Sequence, residues 1–231
     1  MFSFTPDVEL TIIALAPGFR AISILVESAG VQHPQVARDA VDNACRAMAA
    51  DDVPYAEAHI NAWREVFKQF GAKPARTPSS VEALRKRVAR DGALPAIDPV
   101  VDLYNAISIQ YALPIGGENA AACVGNPRLV RADGSERFDT LKQGDPCIES
   151  PEPGEVIWRD DLGVTCRRWN WRQGVRTRLD ASAQKMWFIL ESLPEMPIDA
   201  LHQASDALIA GLEAMMPGSR IEKQLTGAGF S

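Results

Sequence analysis

The sequence has no closely spaced cysteines, which removes the Cys-x-x-Cys metal and redox classes. Cys45, Cys123, Cys147 and Cys166 stand far apart, as incidental or buried thiols of a reducing cytoplasm do. Histidine is scarce, with only His33, His59 and His202. His59 and His202 fall within expected amphipathic helices and read as packing or surface residues. His33 precedes Pro34 at a helix start, where a functional role stays open. No Gly-x-x-x-x-Gly-Lys-Ser/Thr loop, Gly-x-Gly-x-x-Gly turn, His-Glu-x-x-His helix or Gly-x-Ser-x-Gly elbow is present. ATP-driven, nicotinamide-dependent and zinc-protease chemistry therefore lose their main support. No apolar run approaches the roughly 20 residues that span a bilayer, and the first residues carry no basic, apolar leader pattern. These absences predict a cytoplasmic protein without membrane contact, metal or cofactor.

What is present suffices for a large core, since 46% of the 231 residues are hydrophobic. The net charge of -6 argues against indiscriminate coating of nucleic acid. Two stretches run against that sign. Between Arg64 and Arg90 eight basic residues face two acidic ones, and between Arg159 and Asp180 six arginines face three aspartates. Either stretch could meet a phosphate backbone, or be an ordinary solvated face.

The pattern predicts strands over Val8 to Ala16 and Phe19 to Val26 around Pro17-Gly18. Helices are expected at Pro34 to Ala50 and Tyr55 to Phe70, and a third opens on the capping box Ser79-x-x-Glu82 and closes near Asp91-Gly92. Short strands follow at Pro127 to Ala132, Glu155 to Arg159 and Val164 to Trp171. Two closing helices are expected at Ala181 to Leu193 and Pro197 to Met216. The whole reads as one α+β domain over residues 1–231.

Two segments carry the chemistry. Asp98-Pro99 supplies an N-cap and a first-turn proline, so a helix should run from Pro99 to Ala112 before Pro114. Asp102, Asn105 and Ser108 share one face of it, while Val100, Val101, Leu103, Tyr104, Ile107 and Ile109 make it apolar nearly all round. Buried polar groups need partners, either neighbouring backbone or a ligand. A glycine turn, Gly116-Gly117-Glu118-Asn119, is expected next. In the second segment, Arg167-Arg-Trp-Asn-Trp-Arg172, a strand would put Arg168, Asn170 and Arg172 on one face and Trp169 and Trp171 on the other. Guanidinium forks suit carboxylate or phosphate, and tryptophan offers a stacking surface, although tryptophans also pack cores for their own sake.

Val101-Asp-Leu-Tyr-Asn105 with Leu113-Pro-Ile-Gly-Gly-Glu-Asn119 resembles the Val-Asp-x-x-Asn helix and Pro-x-His-Ala-Phe-Asp turn of the B3/B4 editing domain of the bacterial phenylalanyl-tRNA synthetase beta subunit. Leu129-Val-Arg-Ala-Asp-Gly-Ser-Glu136 and Glu155-Val-Ile-Trp-Arg-Asp160 are similar to later pieces of the same domain, and the likeness runs from about Arg64 to Leu193. The resemblance implies a B3/B4-type sheet core with flanking helices, most like the free-standing proteins built on this one domain. In the synthetase the domain hydrolyses tyrosine wrongly esterified to the phenylalanine tRNA. Carried over, Asn105 takes the place of the pocket-lining asparagine, Gly116 stands where the synthetase has histidine, and Asn119 falls on the turn aspartate.

The resemblance therefore implies a deacylase acting in trans on mischarged tRNA, with no ligase activity. Asn105, Ser108, Gly116 and Gly117 are its expected catalytic groups. Tyr104, Glu118, Asn119, Arg168, Trp169, Asn170, Trp171 and Arg172 are expected to contact the amino acid or the tRNA end. DNA is not an expected partner, and oligomeric state is left open. The alternative is a non-catalytic module binding RNA, a nucleotide or an amino acid.

Overall fold

A computed structural model describes residues 2 and 4–226. Its elements run β1 (Asp7–Val8), α1 (Leu10–Leu15), β2 (Arg20–Glu27), α2 (Gln35–Ala50), α3 (Ala56–Gln69), α4 (Ser80–Asp91), α5 (Pro99–Tyr111) and β3 (Ile115–Asn119). After a 3-10 turn at Ala120–Ala122 come β4 (Arg128–Arg131), β5 (Phe138–Lys142), β6 (Asp145–Glu149), β7 (Val156–Arg159), β8 (Val164–Arg167) and β9 (Arg172–Gln173). The chain continues through β10 (Lys185–Ser192), α6 (Ile198–Met215) and β11 (Arg220–Thr226). The fold is α+β, with one sheet ordered β11-β2-β10-β3, a second ordered β1-β4-β7-β8-β9, and the β5-β6 ribbon.

β10 organises the molecule, pairing antiparallel with β2 over eight residues and with β3 along its other side. Alternation sends Met186, Phe188 and Leu190 toward α5 and α6, where they share a core with Leu103, Leu208 and Leu212. Trp187 and Ile189 point the other way, into a core with Trp63 and Phe67 of α3 and with Leu129 and Trp158 of the second sheet. The first sheet is thus covered on both faces, which explains the unbroken apolar run Met186-Trp-Phe-Ile-Leu190.

That run corrects one expectation. A helix over Ala181 to Leu193 is replaced by a central strand, because a short continuous apolar stretch suits a doubly buried strand as well as a helix. The expected strand over Val8 to Ala16 is likewise two residues of β1 followed by helix α1, whose Ile12 is its one fully buried side chain. Gly116 to Asn119 lies in strand β3, not in a turn. Ser79 is the N-cap residue of α4 but makes no side-chain cap bond. Its intended partner Glu82 instead binds Arg64 at 2.9 Å and Lys86 at 2.5 Å.

The start of α5 follows its sequence signal. Asp98 accepts from the N–H groups of Val100 and Val101, Pro99 sits in the first turn, and Asp98 also takes the Ala181 N–H at 2.9 Å. His59 is a packing residue: its Nε2 accepts from Trp63 Nε1 and from the Leu193 N–H, so its Nδ1 donates to Ala112 O at 2.8 Å. Burial holds that imidazole down to about 4. Among the described residues no helix is long and apolar enough to cross a membrane.

Candidate functional site

The edge of the first sheet forms the floor of a cavity of about 260 Å³. Alternation puts Gly116 and Glu118 of β3 on the same face as Trp187, Ile189 and Glu191 of β10, and these line it. Tyr104 and Asn105 of α5 form one wall, and Ser80 and Leu84 of α4 another. The segment from Trp169 to Gln173 closes the remaining side. Glu118 stands opposite Trp187, and Glu191 lies four residues further along β10, about 13 Å away along the strand.

The two carboxyls differ in how they are held. Glu191 is 1% exposed, yet Oε1 accepts from Trp158 Nε1 at 2.9 Å and Trp169 Nε1 at 3.0 Å, and Oε2 from Asn170 Nδ2 at 3.0 Å. Burial still outweighs these donors and pushes it up to about 7. Glu118 is 4% exposed, and burial pushes it up to about 8 against the partial opposing pull of Thr177, Gln173, Thr165 and the Arg176 guanidinium. Its Oε2, Asn170 Oδ1 and Ser80 Oγ, all on residues that line the cavity, have no hydrogen-bond partner. Buried polar atoms are nearly always paired, so this concentration marks a place where a ligand or water completes the bonding.

The wall from Arg168 to Trp171 is a turn, which corrects the expected strand through Arg172. β8 stops at Arg167, and Arg168 and Trp169 take left-handed backbone, with φ of 46° and 64°. Non-glycine residues there carry strain that other contacts must offset. Glu155 Oε1 accepts from the Arg168 N–H at 3.0 Å, its carboxylate holds the Arg167 side chain at 2.8 Å, and the Trp169 N–H donates to Val156 O at 2.7 Å. The turn buries Trp169 completely and leaves Trp171 half-buried, with Arg168 over its ring at 4.5 Å and Arg172 at 5.9 Å.

Comparison with known proteins gives this arrangement a context. A family model described as the B3/4 domain matches residues 62–207, more than half of the chain. The chain belongs to the B3/4 domain family. Its structure is similar to that of an N-terminal fragment of the phenylalanyl-tRNA synthetase beta-subunit from Pyrococcus horikoshii, at 10% identity and a TM-score of 0.46, over 96% of this chain and 51% of that one. The chain therefore spans about half the length of that fragment. No curated protein sequence matches it.

In this B3/4 domain the cavity brings together Tyr104, Asn105, Gly116, Gly117, Glu118, Trp169, Asn170, Trp171 and Arg172 from the residues singled out in the sequence. Three others lie elsewhere. Ser108 Oγ donates to Leu113 O at 2.6 Å and closes the end of α5. Asn119 Oδ1 accepts from the Ala121 N–H at 3.1 Å, capping the 3-10 turn. Arg168 is not part of the lining; it stacks on Trp171 beside Glu155. Asp102, the third polar residue of the α5 stripe, accepts from the Ile97 N–H at 3.0 Å. Only Asn105 of that stripe faces the cavity.

The glycines also divide. Glu191 N donates to Pro114 O, so alternation commits the Gly116 N–H to β10 as well. The Gly116 N–H is thus used inside the sheet, and the missing side chain keeps the floor open. Gly117 is held to glycine by packing, since a Cβ there would lie 2.9 Å from both Tyr104 Cε1 and Leu179 Cδ2. Glu191, Gln173 and Ser80 line the cavity without having been foreseen. Glu191 had one signal: it is the only charge between Met186 and Leu193, and a charge inside an apolar run must be bonded.

The basic stretches are mostly consumed internally. Arg64 and Lys86 share Glu82, Lys68 binds Glu65, Arg85 reaches Ile109 O and Asp52, and Arg167 and Arg176 are tied to Glu155 and Asp160. Arg172, half-buried in the cavity wall, donates to Leu141 O at 3.1 Å.

Proposed function

We propose that this B3/4 domain hydrolyses the ester of a mischarged tRNA supplied in trans, seating the aminoacyl group in the cavity and the tRNA 3′ end beside Arg172 and Trp171. The observation that carries this reading is the convergence of Asn105, Glu118 and the Trp169–Arg172 segment on one cavity in which Glu118 Oε2, Asn170 Oδ1 and Ser80 Oγ lack partners. An aminoacyl ester is already activated, so its hydrolysis needs an oriented water more than a protein nucleophile. Asn105 is suited to that task because its amide both donates and accepts. Gly116 keeps the floor open for the acyl group, and the Trp171 ring with its flanking guanidiniums offers a base-stacking and phosphate-binding rim.

The cavity holds no histidine, and its one thiol, Cys166, is pushed well up by burial. That observation favours the second reading, a module that binds an amino acid or RNA end without turnover. Release of labelled amino acid from a panel of correctly and wrongly charged tRNAs separates the two. The deacylase reading expects selective release by the wild type that is lost in Asn105→Ala; retention of every charged tRNA on the protein favours the binder.

A further inference from the structure

Among the unpaired oxygens of the cavity are one of a carboxyl and one of an amide, both of which can accept from a ligand. Glu118 Oε2 has no partner, and neither has Asn170 Oδ1; the two residues are 4% and 8% exposed. Asn170 Nδ2 is spent on Glu191 Oε2 at 3.0 Å, which leaves Oδ1 as the free end of that amide. Among the described residues no cation forms an ion pair with Glu118. Arg176, the guanidinium that acts on it, is committed to Asp160 through two bonds of 2.8 Å. Arg172 is turned to Leu141 O and the Trp171 ring. Glu191, by contrast, already accepts three hydrogen bonds. The surrounding walls are aromatic, from Tyr104, Trp169 and Trp187, and aromatic faces tolerate a positive charge while rejecting a negative one.

We infer that the occupant of this cavity carries a protonated amine, seated against Glu118 with Asn170 Oδ1 as a second acceptor. Its identification with the α-ammonium of an aminoacyl group rests on the deacylase reading above; the preference for an amine does not. The titratable and charged groups that face Glu118 are Tyr104 from α5, Cys123 after β3, Cys166 on β8 and Arg176. Burial raises Tyr104 and both thiols, so they are neutral near pH 7. Glu118, held up to about 8, is then protonated in the empty cavity. An arriving ammonium keeps its own protons and pairs with the carboxylate, and the carboxyl proton leaves to the buffer. For an amine that stays protonated throughout, such as 2-phenylethylamine, affinity therefore rises with pH toward about 8.

The test uses two probe pairs on the full chain by calorimetry. One pair is 2-phenylethylamine and neutral 2-phenylethanol; the other is an amide-linked phenylalanyl-adenosine, which cannot be hydrolysed as an ester, and its N-acetyl form. Wild type is expected to prefer each amine by about tenfold or more, the value of a charge-assisted bond in a dry site. Glu118→Gln, isosteric and neutral, is expected to bind both members of a pair within about threefold of each other. Independently of any variant, the binding heat of 2-phenylethylamine near pH 7 should differ between phosphate and Tris in proportion to nearly one released proton. Equal affinity for amine and neutral partner, an unchanged preference in Glu118→Gln, or no proton release overturns the inference. Tight binding of the adenosine conjugate regardless of acetylation overturns it while leaving the deacylase reading intact. Preference for phenylethylamine without binding of the adenosine conjugate does the reverse, and failure of all four probes to bind overturns both.

Discussion

Asn170 Nδ2 donates to Glu191 Oε2 at 3.0 Å, tying the strained turn after β8 to the central strand β10. The same carboxyl also takes the indole N–H groups of Trp158 and Trp169. One side chain thus fixes two tryptophans and the amide that faces the cavity. Glu191→Ala would leave three buried donors unpaired, at about 1–3 kcal/mol each. Urea denaturation should show a loss of about 3 kcal/mol or more. Glu191→Gln, which keeps an acceptor, should lose clearly less, and equal losses in the two variants would contradict this account of the turn.

Raising the pH should weaken the fold between about 6.5 and 8. In that window the native state holds protons that the unfolded chain has released, because Glu118 and Glu191 sit at about 8 and about 7 instead of an ordinary 4.5. His59 acts with the opposite sign and only below that window. Its imidazole is held to about 4 against an ordinary 6.5, so it adds stability as the pH rises between those values. Denaturation midpoints of wild type and Glu118→Gln at about pH 6.5 and 8 check this: the fall should be shallower in the variant. An identical slope would mean that Glu118 ionises normally.

The polar stripe of α5 should split by role. Ser108→Ala strands the buried Leu113 carbonyl and should cost about 1–2 kcal/mol without changing turnover. Asn105→Ala should leave the unfolding midpoint nearly unchanged and reduce deacylation at least about tenfold. Measuring stability and rate on both variants decides the matter, and loss of turnover in Ser108→Ala with full stability would return that hydroxyl to the site.

The neighbouring glycines should separate in the same way. Gly117→Ala brings a Cβ to 2.9 Å from Tyr104 and Leu179 and should destabilise by about 1–3 kcal/mol. Gly116→Val meets only Ile189 Cγ2, at 3.3 Å from the first added carbon. It projects into the cavity and should change stability by less than about 1 kcal/mol. Thermal unfolding of the two variants provides the comparison.

Local signals carried the sequence reading where a short segment determines its own structure. Asp98-Pro99 started α5 as expected, Gly92 ended α4 in left-handed backbone, and Pro114 stopped α5 before β3. The strand β10 was illegible because Met186 to Leu190 is apolar on both faces, which erases the period that separates strand from helix. The Arg168–Trp169 turn was hidden for a different reason. Neither residue favours left-handed backbone, and what holds them there is the Glu155 carboxylate on Arg168 and the Val156 carbonyl on Trp169, each 13 residues upstream of its partner. The site was half legible: Asn105 and Glu118 stand in unusual local company, while Glu191 and Gln173 reach the cavity only through sheet pairing.

The most direct test of the central claim is single-turnover release of labelled amino acid from charged tRNAs by wild type and Gly116→Val, once both are shown to be equally folded. Hydrolysis inside the cavity predicts selective release by the wild type and its loss in the filled variant. Release that survives in Gly116→Val, or no release from any charged tRNA, would contradict it.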